Sequence, residues 1–111
     1  MLNRLLDTFH QIGGVIGASV LQDDGTKVAN SSGTSVEGEV VTELLHEARR
    51  CCSSLSAGLV EQVWLENEKE SLLVQSLDGG MSLWVTASSE TPIGRLRHQA
   101  ATLAPVINDL I

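Results

Sequence analysis

Residues 12–29 read Ile-Gly-Gly-Val-Ile-Gly-Ala-Ser-Val-Leu-Gln-Asp-Asp-Gly-Thr-Lys-Val-Ala, and they constrain the fold more than any other stretch. Before them, Leu2, Leu5, Leu6, Phe9 and Ile12 recur at helical spacing, which predicts a helix over 2–12. Gly13-Gly14 stops it. Residues 15–21 are β-prone and carry apolar side chains on both parities, the pattern of a strand buried on both faces. Asp24-Gly25 then predicts a tight hairpin of type I′, in which both central residues take positive φ. A short second strand over 26–30 follows. A helix running straight into a hairpin at the start of the chain leaves few architectures open.

The polar residues 30–35 form a loop, and a second helix begins near Val36. Ser35 is placed to cap it, with Glu37 and Glu39 complementing the dipole of its first turn. At about 100° per residue, Val40, Val41, Leu44, Leu45, Ala48, Cys51, Cys52 and Leu55 fall on an arc roughly 140° wide. Glu39, Thr42, Glu43, His46, Arg49, Arg50 and Ser53 lie opposite. Strands over Leu59–Leu65, Ser71–Leu77 and Met81–Ala87 are joined by short turns, so they form an antiparallel meander. Their two-sided apolar pattern, with Trp64 and Trp84 out of phase with their neighbours, needs helices on both faces of the sheet. Thr91-Pro92 opens the last helix as N-cap and first residue. Pro105 inside it should kink the helix or end its regular part near Ala104. The order is α-β-β-α-β-β-β-α, an α+β (α/β) single domain over 1–111.

The net charge of −7 argues against nucleic acid, whose binding depends on neutralising phosphates, and against anionic membrane surfaces. Aromatics are 3% of the chain, so the core has to be aliphatic. Cys51 and Cys52 are adjacent, which makes them poor disulfide partners, and no metal-type CxxC spacing exists. They read as buried thiols in a reducing compartment. Met1-Leu2-Asn3-Arg4 leads into an amphipathic helix rather than a secretory leader. No apolar run approaches the ~18 residues of a membrane span. The expectation is a cytoplasmic protein.

Little in the chain points to chemistry. The glycines of Gly13-Gly14-Val15-Ile16-Gly17 precede a strand rather than a helix N-terminus and lack a P-loop ending, so they read as a helix stop. His10, His46 and His98 sit on three different helices with no ligand at metal spacing. Cys52 lies on the apolar arc, away from any base. Glu39, Glu43 and Glu47, and Glu66, Glu68 and Glu70, read first as solvated faces and second as docking sites for a basic partner. No catalytic, cofactor or metal residues are assigned.

Four motifs occur in order: Ile12-Gly13-Gly14-Val15-Ile16-Gly17-Ala18, Asp24-Gly25, Leu77-Asp78-Gly79-Gly80-Met81-Ser82-Leu83, and Ile93-Gly94-Arg95-Leu96-Arg97. With the element order, they resemble the Roadblock family (dynein light chain Roadblock type), in its branch of bacterial and archaeal regulators of small GTPases. The resemblance covers nearly the whole chain. It implies a profilin-like, five-stranded antiparallel sheet of order 2-1-5-4-3, with the first and last helices on one face and the second on the other. It implies no catalytic residues, a homodimer that pairs third strands edge to edge and packs second helices together, and action on a small Ras-like GTPase.

The expectation is therefore a non-enzymatic homodimeric regulator or scaffold that binds a small Ras-like GTPase. Its dimer interface would hold Val60, Gln62, Val63, Trp64 and Leu65. Its partner surface would hold Glu39, Thr42, Glu43, His46, Arg49, Arg50 and Ser53. The alternative is a small-molecule sensor of the PAS or GAF type, which the absence of Tyr and of a polar pocket set disfavours.

Overall fold

The computed structural model describes residues 1–31 and 38–111, with residue 39 described in its backbone only. The expected cap Ser35, the helix start at Val36 and the dipole partner Glu37 lie outside the described residues, as does the side chain of Glu39. Helix α1 (Leu2–Asp7) tightens into a 3₁₀ turn at Thr8–Gln11, so the expected 2–12 helix is present with its last part overwound. Strands β1 (Val15–Leu21) and β2 (Lys27–Asn30) follow, then α2 (Gly38–Ser54), β3 (Gln62–Glu66), β4 (Glu70–Ser76), β5 (Ser82–Ser88) and α3 (Ile93–Leu110). The sheet is antiparallel, in the order β2-β1-β5-β4-β3.

Both faces of the sheet are cored. On one face, Ala18 and Val20 of β1, Leu73 of β4 and Leu83, Val85 and Ala87 of β5 meet Leu6 and Phe9 at the N-terminus and Leu96, Ala100 and Ile107 of α3. On the other, Leu21, Val74 and Trp84 pack under Leu45 of α2. The alternation of Trp84 against Leu83 and Val85 does this sorting, since successive strand side chains point to opposite faces. The Trp84 indole N–H donates to Ser82 Oγ at 2.8 Å, which meets its one polar requirement.

Three local readings need correction. The first hairpin is not a type I′ turn: among the described residues the only non-glycine with positive φ is Ser56, so Asp24 does not adopt it. Gln22 N–H donates to Thr26 O, Gly25 N–H donates to Gln22 O, and Gly25 takes φ 93°. That is a three-residue loop with glycine in the left-handed position; a separate irregularity, with Val28 as the extra residue, shifts the register between Val20 and Leu21. The second correction concerns α3, whose N-cap is Pro92 rather than Thr91. The third concerns Pro105: of the two expected outcomes, a kink or an end to the regular helix near Ala104, the end does not occur, and α3 continues to Leu110. Pro105 and Ala101, whose carbonyl the proline leaves without a helical donor, are both exposed, so water can serve that carbonyl. Beyond it, Asn108 Oδ1 accepts the Asp78 N–H at 2.9 Å and ties the helix to the β4–β5 connection.

Candidate interaction surface

The side chains expected at the partner and dimer surfaces lie on α2 and on or beside β3. The apolar arc of α2 and its buried face do not coincide. Leu45 and Thr42 are buried, and Val41, Leu44, Ala48, Arg49 and Cys52 are half-buried. The buried face is centred near the direction of Cys52 and Leu45, rotated by roughly 50° from the centre of the apolar arc. Part of that arc is therefore left in water: Val40 is 61% and Leu55 77% exposed, and Cys51 is exposed between them. The reading of both cysteines as buried thiols fails for Cys51; Cys52 is half-buried. Among the described residues no helix is long and apolar enough to cross a membrane.

The same rotation redistributes the expected partner-binding side chains. Thr42 is only 5% exposed and leaves the polar face, because the turn of the helix carries it under the sheet-facing side. Arg49 and His46 reach back to the first hairpin: His46 Nε2 lies 3.0 Å and Arg49 Nη1 3.3 Å from Asp23 Oδ1. The hydrogen bond from His46, aided by the charge of Arg49, holds the Asp23 carboxyl below the usual range. Arg50 forks onto Glu47 one turn back, at 2.8 Å from Nη2 to Oε2, which lowers the Glu47 carboxyl and raises the guanidinium. Glu43 and Ser53 are exposed. What remains outward is thus a strip of Glu43, His46, Glu47, Arg50 and Ser53. Glu47 could have been read as the partner of Arg50 from the i,i+3 spacing. Asp23 could not, because 23 residues separate it from His46.

β3 starts later than expected, at Gln62 rather than Leu59. The end of α2 explains the delay. Ser56 takes φ 52° and Gly58 φ 88°, and Ala57 N–H donates to Cys52 O, a Schellman-type stop that uses up the residues before 59. Val60 consequently lies outside the strand and packs beside the Leu45 cluster. Val63 packs there too, while Trp64 and Leu65 are exposed. Gln62 is engaged within the chain: its Nε2 donates to Gln75 Oε1 at 2.7 Å and to the Arg97 carbonyl at 3.1 Å, and Arg97 Nε donates to its Oε1 at 3.1 Å. β3 is one of the two outermost strands, with β2 at the other end, so one of its edges is unpaired within the chain. A groove of about 570 Å³ opens below the end of α2, lined by Arg49, Cys52, Ser53, Val60 and Ser76 among others.

Comparison with solved structures sets this arrangement beside known ones. A Roadblock/LC7 domain from Streptomyces avermitilis superposes with a TM-score of 0.88 at 20% identity, over 97% of this chain and 95% of that one. The fold is that of the Roadblock/LC7 domain. MglB of Myxococcus xanthus shares the Roadblock-like arrangement, with a TM-score of 0.77 at 12% identity over 98% of this chain and 93% of that chain. Profilin IB of Acanthamoeba castellanii matches at 0.71 and 15% identity over 99% and 98%. No family model matches the sequence, and no curated protein matches it. The Roadblock/LC7 fold and its profilin-like sheet are thus as the sequence motifs imply, with the strand order 2-1-5-4-3.

Proposed function

We propose that this chain is a non-enzymatic, cytoplasmic homodimer that regulates or scaffolds a small Ras-like GTPase. The observation that carries the reading is the mismatch on α2: more apolar surface than its own sheet covers, alongside an unpaired β3. Exposed apolar area of this kind, next to an open strand edge, is costly in a monomer and suited to association. A second copy would pair β3 with β3 and pack α2 against α2. The polar strips of the two α2 helices would then form one two-fold surface of mixed charge. Such a surface favours specific docking over bulk attraction. The likeness to MglB and the resemblance of the motifs to regulators of small GTPases support a GTPase as that partner.

The experiment is a titration of wild type and of a Glu43→Arg, Arg50→Glu double variant against genome-neighbouring small GTPases in both nucleotide states. The variant should remain a folded dimer and bind at least tenfold more weakly. Unchanged affinity would move the site off α2. A ligand retained through purification and seen by native mass spectrometry, with no GTPase bound, would favour a sensor using the groove below α2.

A further inference from the structure

The peptide groups of β3 alternate in direction, and two hydrogen bonds fix which ones face out. Ser76 N–H donates to Glu61 O, and Asn67 N–H donates to Glu70 O. Residues 61 and 67 are therefore turned towards β4. By antiparallel alternation, so are 63 and 65. The free edge then consists of the N–H and C=O groups of Gln62, Trp64 and Glu66, six groups in all. The same three side chains share the sheet face that carries α3, since Trp64 stands opposite Leu73 and Gln62 opposite Gln75.

A dimer with both α2 helices on one face has its two-fold axis perpendicular to the sheet. Such an axis maps each face onto itself, so one residue of β3 must stand opposite its own copy. Centring on Val63 leaves Glu66 facing residue 60, outside the strand. Centring on Leu65 leaves Gln62 facing residue 68, in the turn. Centring on Trp64 matches Trp64 with itself and Gln62 with Glu66, and it alone uses all six edge groups.

That register also solves a charge problem. Among the described residues Arg97 has no carboxylate partner and Glu66 no cation. Arg97 is nonetheless held in place over the strand, by Gln62 and, through it, Gln75. Opposed residues in a hydrogen-bonded antiparallel pair have Cα atoms about 5.5 Å apart. Glu66 of a second copy would come in beside Gln62, within reach of the guanidinium that Gln62 positions. Glu61, one residue before β3, forms no ion pair with Arg97.

We propose that β3 joins a second copy in the register that sets Trp64 opposite Trp64, and that Arg97 of each protomer then pairs with Glu66 of the other. The inference rests on the homodimer reading. The two indoles, each 43% exposed in the single chain, form the central cross-strand pair. The ion pairs penalise any slipped register by leaving like charges or unpaired groups opposite each other.

The test uses two charge reversals, Arg97→Glu and Glu66→Arg, purified separately and then mixed. Each alone places like charges across the axis twice and should dimerise several-fold more weakly than wild type by sedimentation equilibrium. Mixed one to one, they restore both pairs, and native mass spectrometry should show heterodimer in clear excess over the half that random exchange gives. Glu66→Arg breaks no bond within the chain, so its weakening is not a folding defect; circular dichroism checks Arg97→Glu. A wild-type dimer whose variants dimerise unchanged and mix at random overturns the register and leaves the homodimer standing. A wild type that stays monomeric at all concentrations overturns both.

Discussion

Gly13 and Gly14 are neighbours with different obligations. Gly14 has φ +92°, and a Cβ there would collide with the Thr91 hydroxyl and lie 2.7 Å from Ser88 Oγ. Its carbonyl accepts the Ser88 N–H at 2.8 Å, so the backbone cannot back away. A Cβ on Gly13 meets nothing within 4 Å. Gly14→Ala should therefore cost about 2 kcal/mol or more, from the left-handed conformation and the clash together, while Gly13→Ala should stay within about 0.5 kcal/mol. Denaturant midpoints of the two variants check this. Asp23 gives a second expectation. Its folded pKa lies below the ordinary value, chiefly through the His46 hydrogen bond. A depressed carboxyl adds stability above its unfolded pKa and loses it as pH falls through the folded one. NMR titration should find Asp23 ionising below the usual carboxylate range, and His46→Ala should move it up. Because the pair is exposed, the melting temperature should hardly change at neutral pH.

β3 separates two kinds of backbone disruption one residue apart. Val63 is turned to β4, so Val63→Pro removes a bond inside the sheet and should destabilise the protomer itself, by roughly 1–3 kcal/mol. The Trp64 N–H faces the open edge, so Trp64→Pro should leave a folded protomer that no longer dimerises. Light scattering paired with thermal unfolding distinguishes the two; a Trp64→Pro dimer would count against edge pairing. This distinction was not legible in the sequence, which marks the stretch as an apolar strand but not which residues point outward. That needed the Glu61–Ser76 and Asn67–Glu70 bonds. The α2 helix shows the same limit. Its amphipathic period was plain, but its rotation was not, because hydrophobic content gives the direction of all apolar burial, including burial by another molecule. Here Thr42 lies inward, and Val40 and Leu55 lie outward.

Among the described residues, the order of elements and the two-faced strands were readable, because alternation and glycine-bearing turns are local signals; the sheet order followed only from the resemblance of the motifs to the Roadblock family. The Asp23 link to α2 and the Gln75–Gln62–Arg97 ladder were not, since each joins residues far apart in the chain. The described fold also has a property that belongs to no single element. The sheet acts as a bulkhead between two compartments, one filled by α1 and α3, the other by α2. Leu45 lies in the second and Ile107 in the first. Leu45→Ala should cost about 2–5 kcal/mol and Ile107→Val about 0.5–1.5, and the double variant should equal their sum within about 0.5 kcal/mol. A chain divided in this way can change one side without consulting the other. Substitutions on the α2 side need not disturb the packing of α1 and α3 behind the sheet, so each face is free to diverge while the other stays put.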